Sequence, residues 1–380
     1  MVTGTSSGFD LAVIGSGIVG LACALAGVRR GKRVLVIDRD AQANGASVRN
    51  FGFVTVTGQR RGAMWQRALR SRDVWAEVAQ AASIPVVHRG IQFAVRRPES
   101  VRVLEAFLQT EMGEGCHLIE AQDPRLRGGV LKGPDLLAVM TSPHELRVES
   151  REAIPRLAAW LEEHHGVRFL RQTTVHAVET GLIHTTSGTI QAEAIAVCPG
   201  DDLTGLFPDR MAAYGITRCK LQMLRLADPG YRLPAAVMSD LGLVRYGGYA
   251  DLPQAAALRG RLEAEQPHHL AHGVHLIVVQ SANGQLVVGD SHHYAATPDP
   301  FSHQAVDDLI LEEFAAVFGH APPPVVERWT GTYASARDHD AVIDTPMDGV
   351  RLTTVTTGAG ASTGFALGEE TIAQLFGDLT

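Results

Sequence analysis

The stretch DLAVIGSGIVGLACALAGVRRGKRVLVIDRDAQANGASVRNFG, residues 10–52, carries the pattern around which the rest of the chain is organised. An apolar run at 11–14 predicts a buried parallel strand, and the motif Gly15-x-Gly17-x-x-Gly20 follows it directly. A helix of small and apolar residues comes next, and a second apolar run at 34–37 ends in Asp38. This order of strand, glycine turn, helix, strand and acid is typical of the unit that binds a dinucleotide.

The spacing of the three glycines has a physical reason. Gly15 allows a tight turn after the strand, Gly17 lets a pyrophosphate approach the backbone, and Gly20 lets the helix pack closely on the strand. The free N–H groups and the positive dipole of the helix N-terminus then face the phosphates. Asp38 can accept hydrogen bonds from a ribose. A purely structural turn is the alternative, and the surrounding strand, helix and acid favour the nucleotide site.

Composition limits the class of protein. The chain has 380 residues, which favours two closely joined domains. It carries 34 basic and 41 acidic residues without a long basic run, which argues against a nucleic-acid partner. We find no signal peptide and no apolar run of about 20 residues, so we expect a cytoplasmic protein without a membrane span. The four cysteines are scattered, so neither a disulfide framework nor a zinc site is expected.

Periodicity along the rest of the chain predicts two kinds of sheet. Helices are predicted over 59–82, 101–111, 151–165, 305–318 and from the turn 358–364 to 376; strands are predicted over 86–95, 167–169, 173–178, 192–198, 219–226 and 350–355. Residues 142–151 are predicted as a loop or strand. Asn283-Gly284 predicts a hairpin of 274–281 with 285–289, because both positions tolerate positive φ.

The predicted fold class is α/β, or α+β overall. A Rossmann-like dinucleotide domain is assembled from residues 1–85, 142–213 and 325–380. An antiparallel-sheet substrate domain, made of residues 86–141 and 214–324, is inserted into it.

Four motifs carry a resemblance to a known superfamily. They are Gly15-x-Gly17-x-x-Gly20 with Asp38, Ser47-x-x-Asn50-x-Gly52, Cys198-Pro199-Gly200 and Gly358-x-Gly360. Over nearly the whole chain, they resemble the D-amino acid oxidase, glycine oxidase and sarcosine oxidase superfamily. The resemblance implies bound FAD and oxidation of the amine of a small amino acid.

Three shorter stretches are similar to one subgroup of that superfamily. They are ASVRNFG at 46–52, SPHELRVESR at 142–151 and GDSH at 289–292. The subgroup is associated with breakdown of 2-aminoethylphosphonate and its N-methyl derivative. This implies oxidative deamination or N-demethylation of an aminophosphonate, with hydride transfer to flavin N5 and O2 as the acceptor. The alternatives are a glycine, sarcosine or D-amino acid dehydrogenase that passes electrons to a quinone or carrier, and a flavin-binding protein without turnover.

The chain departs from sarcosine oxidases at three places. Segment 329–333, where those enzymes tether FAD through a cysteine, has none, which predicts non-covalent FAD. Strand 285–289 lacks the lysine that promotes the reaction of sarcosine oxidases with oxygen. A dehydrogenase therefore remains an alternative to an oxidase. Sarcosine oxidases have a basic residue in the last turn, and this chain has Ser362, Thr363 and Phe365 there. A cation that binds the substrate acid group must therefore come from another part of the chain.

The motifs and the resemblance together define the expected cofactor site. The turn 358–364 opens the last helix, so its N–H groups could stabilise negative charge on a reduced flavin. The expected cofactor-binding residues are Gly15, Ser16, Gly17, Ile18, Val19, Gly20, Asp38, Arg39, Ser47, Arg49, Asn50, Gly52, Val175, Cys198, Gly200, Gly331, Gly358, Gly360, Ala361, Ser362, Thr363 and Gly364.

Amine oxidation also needs a neutral amine and a group that binds the substrate acid. The imidazole of His292, with an ordinary pKa of about 6.5, could accept the amine proton or donate to an anion; a surface position is the alternative. Arg49 could pair with a phosphonate or carboxylate, or form a structural ion pair. The expected catalytic residues are His292, Arg49 and Tyr333; the expected substrate-binding residues are Arg49, Tyr246, Tyr249, Arg245, His292 and Ser362.

Two further sets of residues are expected to have no role in chemistry. Lys220 is a possible cation for which a solvated surface position is favoured. The run His268-His269-x-x-His272-x-x-His275 resembles a metal-binding run, but it has no acid or cysteine near it in sequence. We therefore predict no metal site.

Overall fold

The computed structural model describes residues 8–377, which form ten α-helices and 18 strands. The helices are α1 (Ile18–Val28), α2 (Ala63–Ala81), α3 (Pro98–Leu108), α4 (Ser150–His165), α5 (Pro208–Ala213), α6 (Gly247–Ala250), α7 (Ala255–Glu265), α8 (Pro267–Ala271), α9 (Gln304–Phe318) and α10 (Gly360–Phe376). The strands are β1 (Phe9–Ile14), β2 (Val34–Ile37), β3 (Phe53–Val54), β4 (Val86–Val95), β5 (His117–Glu120), β6 (Ala138–Val148), β7 (Arg168–Leu170), β8 (Val175–Glu179), β9 (Leu182–Thr185), β10 (Gly188–Val197), β11 (Thr217–Leu226), β12 (Ala236–Ser239), β13 (Ile277–Gln280), β14 (Leu286–Gly289), β15 (His293–Ala295), β16 (Val325–Ser335), β17 (Ala341–Met347) and β18 (Val350–Val355).

The first sheet contains the dinucleotide unit. Its strand order is β17-β18-β10-β1-β2-β7, and β1 pairs in parallel with both β10 and β2. Because successive side chains of a strand point to opposite faces, Leu11 and Val13 pack on the side of α1 and α10, while Ala12 packs on the other. The apolar runs of β1 and β2 are therefore buried on both faces, as a parallel sheet requires.

The second sheet is mostly antiparallel. Its order is β15-β11-β14-β13-β12-β4-β6-β3, with β16 beside β11 and β5 beside β6. The predicted hairpin is present: β13 and β14 pair around Asn283-Gly284, and Gly284 has a φ of 91°. The two sheets together confirm the predicted mixed α/β fold class.

Sheet membership differs from the predicted domain ranges at β3, β6 and β16. These strands lie in ranges given to the first domain or across its boundary, yet they pair in the second sheet. Strand β16 follows β11 over nearly its whole length, from Thr217 opposite Ser335 to Leu226 opposite Val325. A strand's partners depend on contacts distant in sequence, which local periodicity does not report.

Some elements also differ in their bounds. Helix α3 begins at Pro98 rather than near 101, because proline is favoured in the first helical turn. Residues 142–148 belong to strand β6, and α4 begins at Ser150. Strand β12 and the short helices α6 to α8 were not predicted. No helix within residues 8–377 has the length and apolar character needed to cross a membrane.

Candidate active site

A cleft between the two sheets collects most of the expected site residues. It is lined by the start of α1, the loop 46–51, the turn after β10, the end of β16 and the turn before α10. Its far wall is formed by residues 245–247, His275, Asp290, His292 and Tyr294. The cleft therefore lies at the carboxyl ends of β1, β10 and β18, where ligands of open α/β sheets bind.

The glycine turn after β1 has almost no room for side chains. Gly15 has a φ of 104°, and a Cβ there would clash with the carbonyl oxygen of Cys198. A Cβ at Gly20 would clash with the carbonyl oxygen of Gly15. At the first residue of α1, the N–H of Ile18 donates to Oγ of Ser47 at 2.9 Å. A bare backbone and a helix N-terminus thus face the cleft, and they fit the pyrophosphate of a dinucleotide.

Asp38 lies beside this turn, at the end of β2. Its Oδ2 accepts hydrogen bonds from the backbone N–H and the hydroxyl of Ser16, both at 2.6 Å. Gly15, Ser16 and Asp38 are not among the residues that line the cleft. The ribose role of Asp38 stays a prediction.

The loop 46–52 is held by the side chain of Asn50. Its Nδ2 donates to the carbonyl oxygen of Ala46 at 2.6 Å, and its Oδ1 accepts from Gly52 N and from Ser150 Oγ, both at 2.7 Å. Gly52 faces Val148 rather than the cleft, and it has a φ of 67°. Asn50 and Gly52 therefore shape the loop that presents Ser47 and Arg49 to the cleft.

Arg49 itself lines the cleft. Its guanidinium makes no hydrogen bond or ion pair with any other residue of the described range 8–377. The loop approaches β16 closely at this point, because a Cβ at Gly331 would lie only 3.0 Å from the Arg49 carbonyl oxygen. The structural ion pair considered for Arg49 is thus not formed within those residues.

The turn before α10 supplies the opposite rim. Gly358, Gly360, Ala361 and Ser362 line the cleft. Oγ of Ser362 accepts a hydrogen bond from the backbone N–H of Thr55 at 2.9 Å, which ties this turn to the strand after the loop 46–52. Thr363 and Gly364 point away: Thr363 Oγ1 donates to the carbonyl oxygen of Ala359 at 2.9 Å, and Gly364 faces Ile18.

Arg245 is the cation at the substrate end. It follows a 3-10 helix at Asp240–Val244 and donates from Nη2 to the hydroxyls of Tyr294 at 3.1 Å and Tyr333 at 3.4 Å. Within residues 8–377, no carboxylate oxygen lies within 4.0 Å of its guanidinium. Its charge is therefore not neutralised by an ion pair with a carboxylate of the described chain.

A buried group of three titratable side chains lies next to Arg245. His275, Asp290 and His292 are exposed by only 2, 4 and 7 %. Nδ1 of His275 lies 3.3 Å from Asp290 Oδ1, and Nε2 of His292 lies 3.7 Å from Asp290 Oδ2. We refer to these three side chains as the His-Asp-His cluster.

Burial sets the protonation of the cluster. It raises the pKa of Asp290 to about 7, against the opposing effect of the nearby Arg245 charge. Burial, and then the charge of Arg245, lower the pKa of His275 and of His292 well below the ordinary value. Both imidazoles are therefore neutral at neutral pH, and Asp290 is close to its midpoint.

His275 and Asp290 were not among the expected site residues. The hairpin brings them together, since the backbone N–H of Asp290 donates to His275 O at 3.0 Å. Strands β13 and β14 pair around the Asn283-Gly284 turn, with Ile277 opposite Gly289. Continuing this pairing by two residues away from the turn places His275 beside 290–291. That count was the signal available in the sequence.

The histidine run does not act as one group. His269 Nε2 contacts the carbonyl oxygen of Leu309 at 3.1 Å, and His272 Nδ1 contacts His293 Nε2 at 3.0 Å. Within residues 8–377, His275 is the member of the run that lies beside a carboxylate. In the His-Asp-His cluster, one nitrogen or oxygen atom of each side chain lies within 4.8 Å of the chosen atoms of the other two. Asp290, which is distant from the run in sequence, therefore lies next to His275 in the folded chain.

Four residues are placed away from the cleft. Tyr249 is 1 % exposed and packs against Phe93 and Phe107, so it is a core side chain rather than a lining one. Arg39 forms an ion pair with Asp202 at 2.8 Å, and Val175 lies in β8. The expected surface position of Lys220 is wrong: β11 is covered on both faces, and Lys220 is 2 % exposed with Nζ 3.0 Å from Asp299.

Comparison with known proteins agrees with this geometry. A family model described as DAO, FAD dependent oxidoreductase, matches residues 10–374. No curated protein matches the chain.

Solved structures share the fold at low sequence identity. Glycine oxidase from Bacillus cereus ATCC 14579 has a TM-score of 0.76 at 15 % identity, covering 98 % of this chain and 96 % of that chain. Glycine oxidase from Geobacillus kaustophilus has a TM-score of 0.76 at 17 % identity, with coverage of 99 % and 96 %. L-proline dehydrogenase from P. horikoshii has a TM-score of 0.78 at 17 % identity, with coverage of 97 % and 93 %.

Proposed function

Since this chain belongs to the FAD dependent oxidoreductase (DAO) family, we propose that its substrate is a small amine that also carries an acid group, and specifically an aminophosphonate. The enzyme is an FAD-dependent oxidoreductase that acts on an amino acid or amine. Our first candidates are 2-aminoethylphosphonate and its N-methyl form. The imine product would hydrolyse to an aldehyde and either ammonia or an amine.

FAD supplies the oxidising group, which takes a hydride equivalent from the carbon beside the amine nitrogen. The glycine turn 15–20 would hold its pyrophosphate, and the turn 358–362 would lie at its flavin end. We propose that FAD is held non-covalently. Cys198, the cysteine of the cleft lining, is buried with its Sγ 3.9 Å from Cys23 Sγ, and segment 329–333 has no cysteine.

The observation that carries the substrate proposal is the guanidinium of Arg245. It has two tyrosine hydroxyls beside it and no carboxylate partner among residues 8–377. A planar guanidinium in such a site binds a carboxylate or phosphonate through paired hydrogen bonds. Arg49 lines the same cleft with a second unpaired guanidinium. Two cations favour a phosphonate, which can carry two negative charges, over a carboxylate, which carries one.

His292 lies on the same wall as Arg245, and its ring centroid is 6.4 Å from that of Tyr333. An acid group bound at Arg245 would therefore direct a short substrate's amine toward His292. We propose that Arg245, Tyr294 and Tyr333 bind the acid group, and that Tyr246 and Ser362 complete the lining.

Anaerobic mixing with candidate substrates tests this proposal. The purified protein should carry a yellow flavin that bleaches with 2-aminoethylphosphonate or its N-methyl form, and more weakly with glycine, sarcosine or D-alanine. Bleaching by glycine or D-alanine without bleaching by the phosphonates would contradict the substrate proposal. A flavin that no amine bleaches would contradict an enzymatic role.

The electron acceptor is a separate question, and we propose O2. Hydrogen peroxide should then form in an amount equal to the substrate oxidised. The strand 285–289 carries no lysine, which favours the second candidate, a dehydrogenase. In that case peroxide would be scarce, and an artificial quinone would restore turnover.

A further inference from the structure

We propose that Asp290 accepts the proton that the substrate ammonium must lose before its C–H bond is oxidised, and that His275 and His292 position it. This assignment rests on the proposed amine oxidation. It adds two residues, Asp290 and His275, to the expected set. It also changes the role of His292 from proton acceptor to partner of the acceptor.

The His-Asp-His cluster lies where the amine of a bound substrate is expected. All three side chains line the cleft on the wall that carries Arg245. A substrate whose acid group is bound by Arg245 would place a nearby amine against this wall. The acceptor must lie within hydrogen-bond reach of the amine, and the cluster offers the carboxylate on that wall.

Unpartnered polar atoms are the second argument. Both ring nitrogens of His275 and Oδ1 of Asp290 are buried and make no hydrogen bond within residues 8–377. A buried polar atom without a partner costs roughly 1–3 kcal/mol. Three such atoms at one point of the cleft wall indicate a site built for a polar ligand. An ammonium group provides hydrogen-bond donors for Asp290 Oδ1 and for the unprotonated ring nitrogen of His275.

The state of His292 is the third argument. Its Nδ1 lies 2.9 Å from the carbonyl oxygen of Gly273, so Nδ1 carries the hydrogen and donates it to that oxygen. Its Nε2 is then a bare acceptor that faces Asp290. A neutral Asp290 that has taken a proton can donate it toward His292 Nε2 or His275 Nδ1. The two imidazoles therefore stabilise the protonated form of the acid.

The surrounding charges agree with an acceptor that works near neutral pH. Arg245 and Tyr246, from the segment after the 3-10 helix, and Cys219 from β11 lie near Asp290. His293 of β15 and Tyr333 of β16 lie near His292, and Tyr294 lies near Arg245. Arg245 is the positive charge among them, and it opposes the effect of burial on the pKa of Asp290, which lies at about 7.

The N–H bond of the ammonium breaks, and its proton bonds to a carboxylate oxygen of Asp290. Loss of this proton leaves the nitrogen lone pair free to form a C=N bond when the hydride of the neighbouring C–H bond is removed, for which bound FAD would supply the oxidant. Water would then hydrolyse the C=N bond, and O2 or a carrier would take up the two electrons.

Stopped-flow measurement of flavin reduction against pH tests the proposal, using holoenzyme and saturating 2-aminoethylphosphonate without oxygen. The wild-type rate should rise with pH through an apparent pKa of about 7. Asp290→Asn should lose roughly 10²- to 10⁴-fold of that rate at neutral pH. Its rate should recover at alkaline pH, where the substrate amine is already neutral. Asp290→Glu should keep the inflection at a reduced rate.

The matched control is Ser291→Ala. Ser291 is the buried neighbour of Asp290, and its hydroxyl accepts from the backbone N–H of Gln222 at 3.2 Å, away from the cluster. This variant should keep the wild-type pH profile. The flavin absorbance of each variant shows whether it has folded and bound FAD.

Three results would overturn the assignment. The first is an Asp290→Asn profile with the wild-type rate and inflection. The second is a loss that is equal at every pH, which would indicate a structural role. The third is one zinc or iron ion per wild-type chain that Asp290→Asn no longer binds, which would make the cluster a metal site. If no amine bleaches the wild-type flavin, the proposed function fails first and the assignment fails with it.

Discussion

The guanidinium of Arg245 lies between the hydroxyls of Tyr294 and Tyr333, without a carboxylate within 4.0 Å in the described part of the chain. Arg60, which also lines the cleft, is neutralised: it pairs with Asp340 at 3.0 Å and with Asp251 at 3.2 Å. A guanidinium without an internal counter-charge attracts an external anion. At the scale of single residues, we therefore propose that Arg245 binds an acid group of the substrate.

Arg245→Gln should weaken substrate binding more than it slows chemistry. Hydrogen bonds to a charged group contribute roughly 1.5–3 kcal/mol, so the substrate concentration for half-maximal flavin reduction should rise roughly 10- to 100-fold. Anaerobic titration with 2-aminoethylphosphonate measures this. Arg127→Gln, an exposed arginine outside the cleft, is the control and should bind substrate normally. Unchanged binding in Arg245→Gln would place the acid group elsewhere, with Arg49 the next cation to test.

Asp290 should make stability depend on pH. Its pKa in the folded protein is about 7, above the ordinary value of 3.8, so the fold favours the protonated form. The stabilisation is complete below the ordinary pKa and is lost as pH rises through about 7, at a cost of roughly 4 kcal/mol. In thermal unfolding without substrate, Asp290→Asn should gain stability relative to wild type as pH rises from acid to neutral. A constant difference between the two proteins would contradict the raised pKa.

At the scale of elements, the hairpin of β13 and β14 shows what sequence could and could not predict. Asn283-Gly284 predicts the turn because of its backbone chemistry, and the structure confirms it. Counting residues from that turn places His275 beside 290–291, and the structure pairs it with Asp290. The pairing of β16 with β11 has no such local signal, because nearly 100 residues separate the two strands. The pairing of β3 with β6 also has no local signal. Local motifs therefore predicted the nucleotide turn well and the substrate wall less completely.

The turn between β1 and α1 allows a direct test of cofactor binding. Gly17 has a φ of −69°, so alanine fits its backbone, but the added Cβ would lie 2.9 Å from Ser47 Oγ. Gly17→Ala should therefore fold and hold less FAD, because the methyl group lies where the pyrophosphate approaches the backbone. The ratio of flavin to protein absorbance after purification measures this.

Gly260→Ala is the matched control. Gly260 lies in α7 with open space around its Cα, and the substitution should raise the free energy of unfolding by roughly 0.5–1 kcal/mol. Its FAD content should equal that of wild type. Full FAD content in Gly17→Ala would show that the backbone at Gly17 does not approach the cofactor.

The whole molecule places its chemistry between two sheets of different kind. The first sheet and the turns at its strand ends line the side of the cleft where we propose that FAD binds. Residues 245–247 and the His-Asp-His cluster line the far wall. The sequence predicted residues on both sides of the cleft. It assigned Tyr249 to the cleft as well, although this ring fills the core between Phe93 and Phe107, because a tyrosine's environment depends on how distant elements pack.

The absence of a tether in the segment 329–333 predicts how FAD leaves the folded chain. Denaturation with acid should release the flavin into the supernatant, because only the native fold holds it. Yellow colour that stays with the precipitated protein would indicate a covalent bond, and mass spectrometry of its peptides would locate the bond.

A single anaerobic turnover tests the central claim most directly. Holoenzyme is mixed with one equivalent of 2-aminoethylphosphonate, flavin absorbance is followed, and the phosphorus-containing product is identified by NMR. We predict that the flavin bleaches and that an equal amount of a phosphonate aldehyde forms together with ammonia. A flavin that stays oxidised with this substrate and its N-methyl form, but bleaches with glycine or sarcosine, would contradict it.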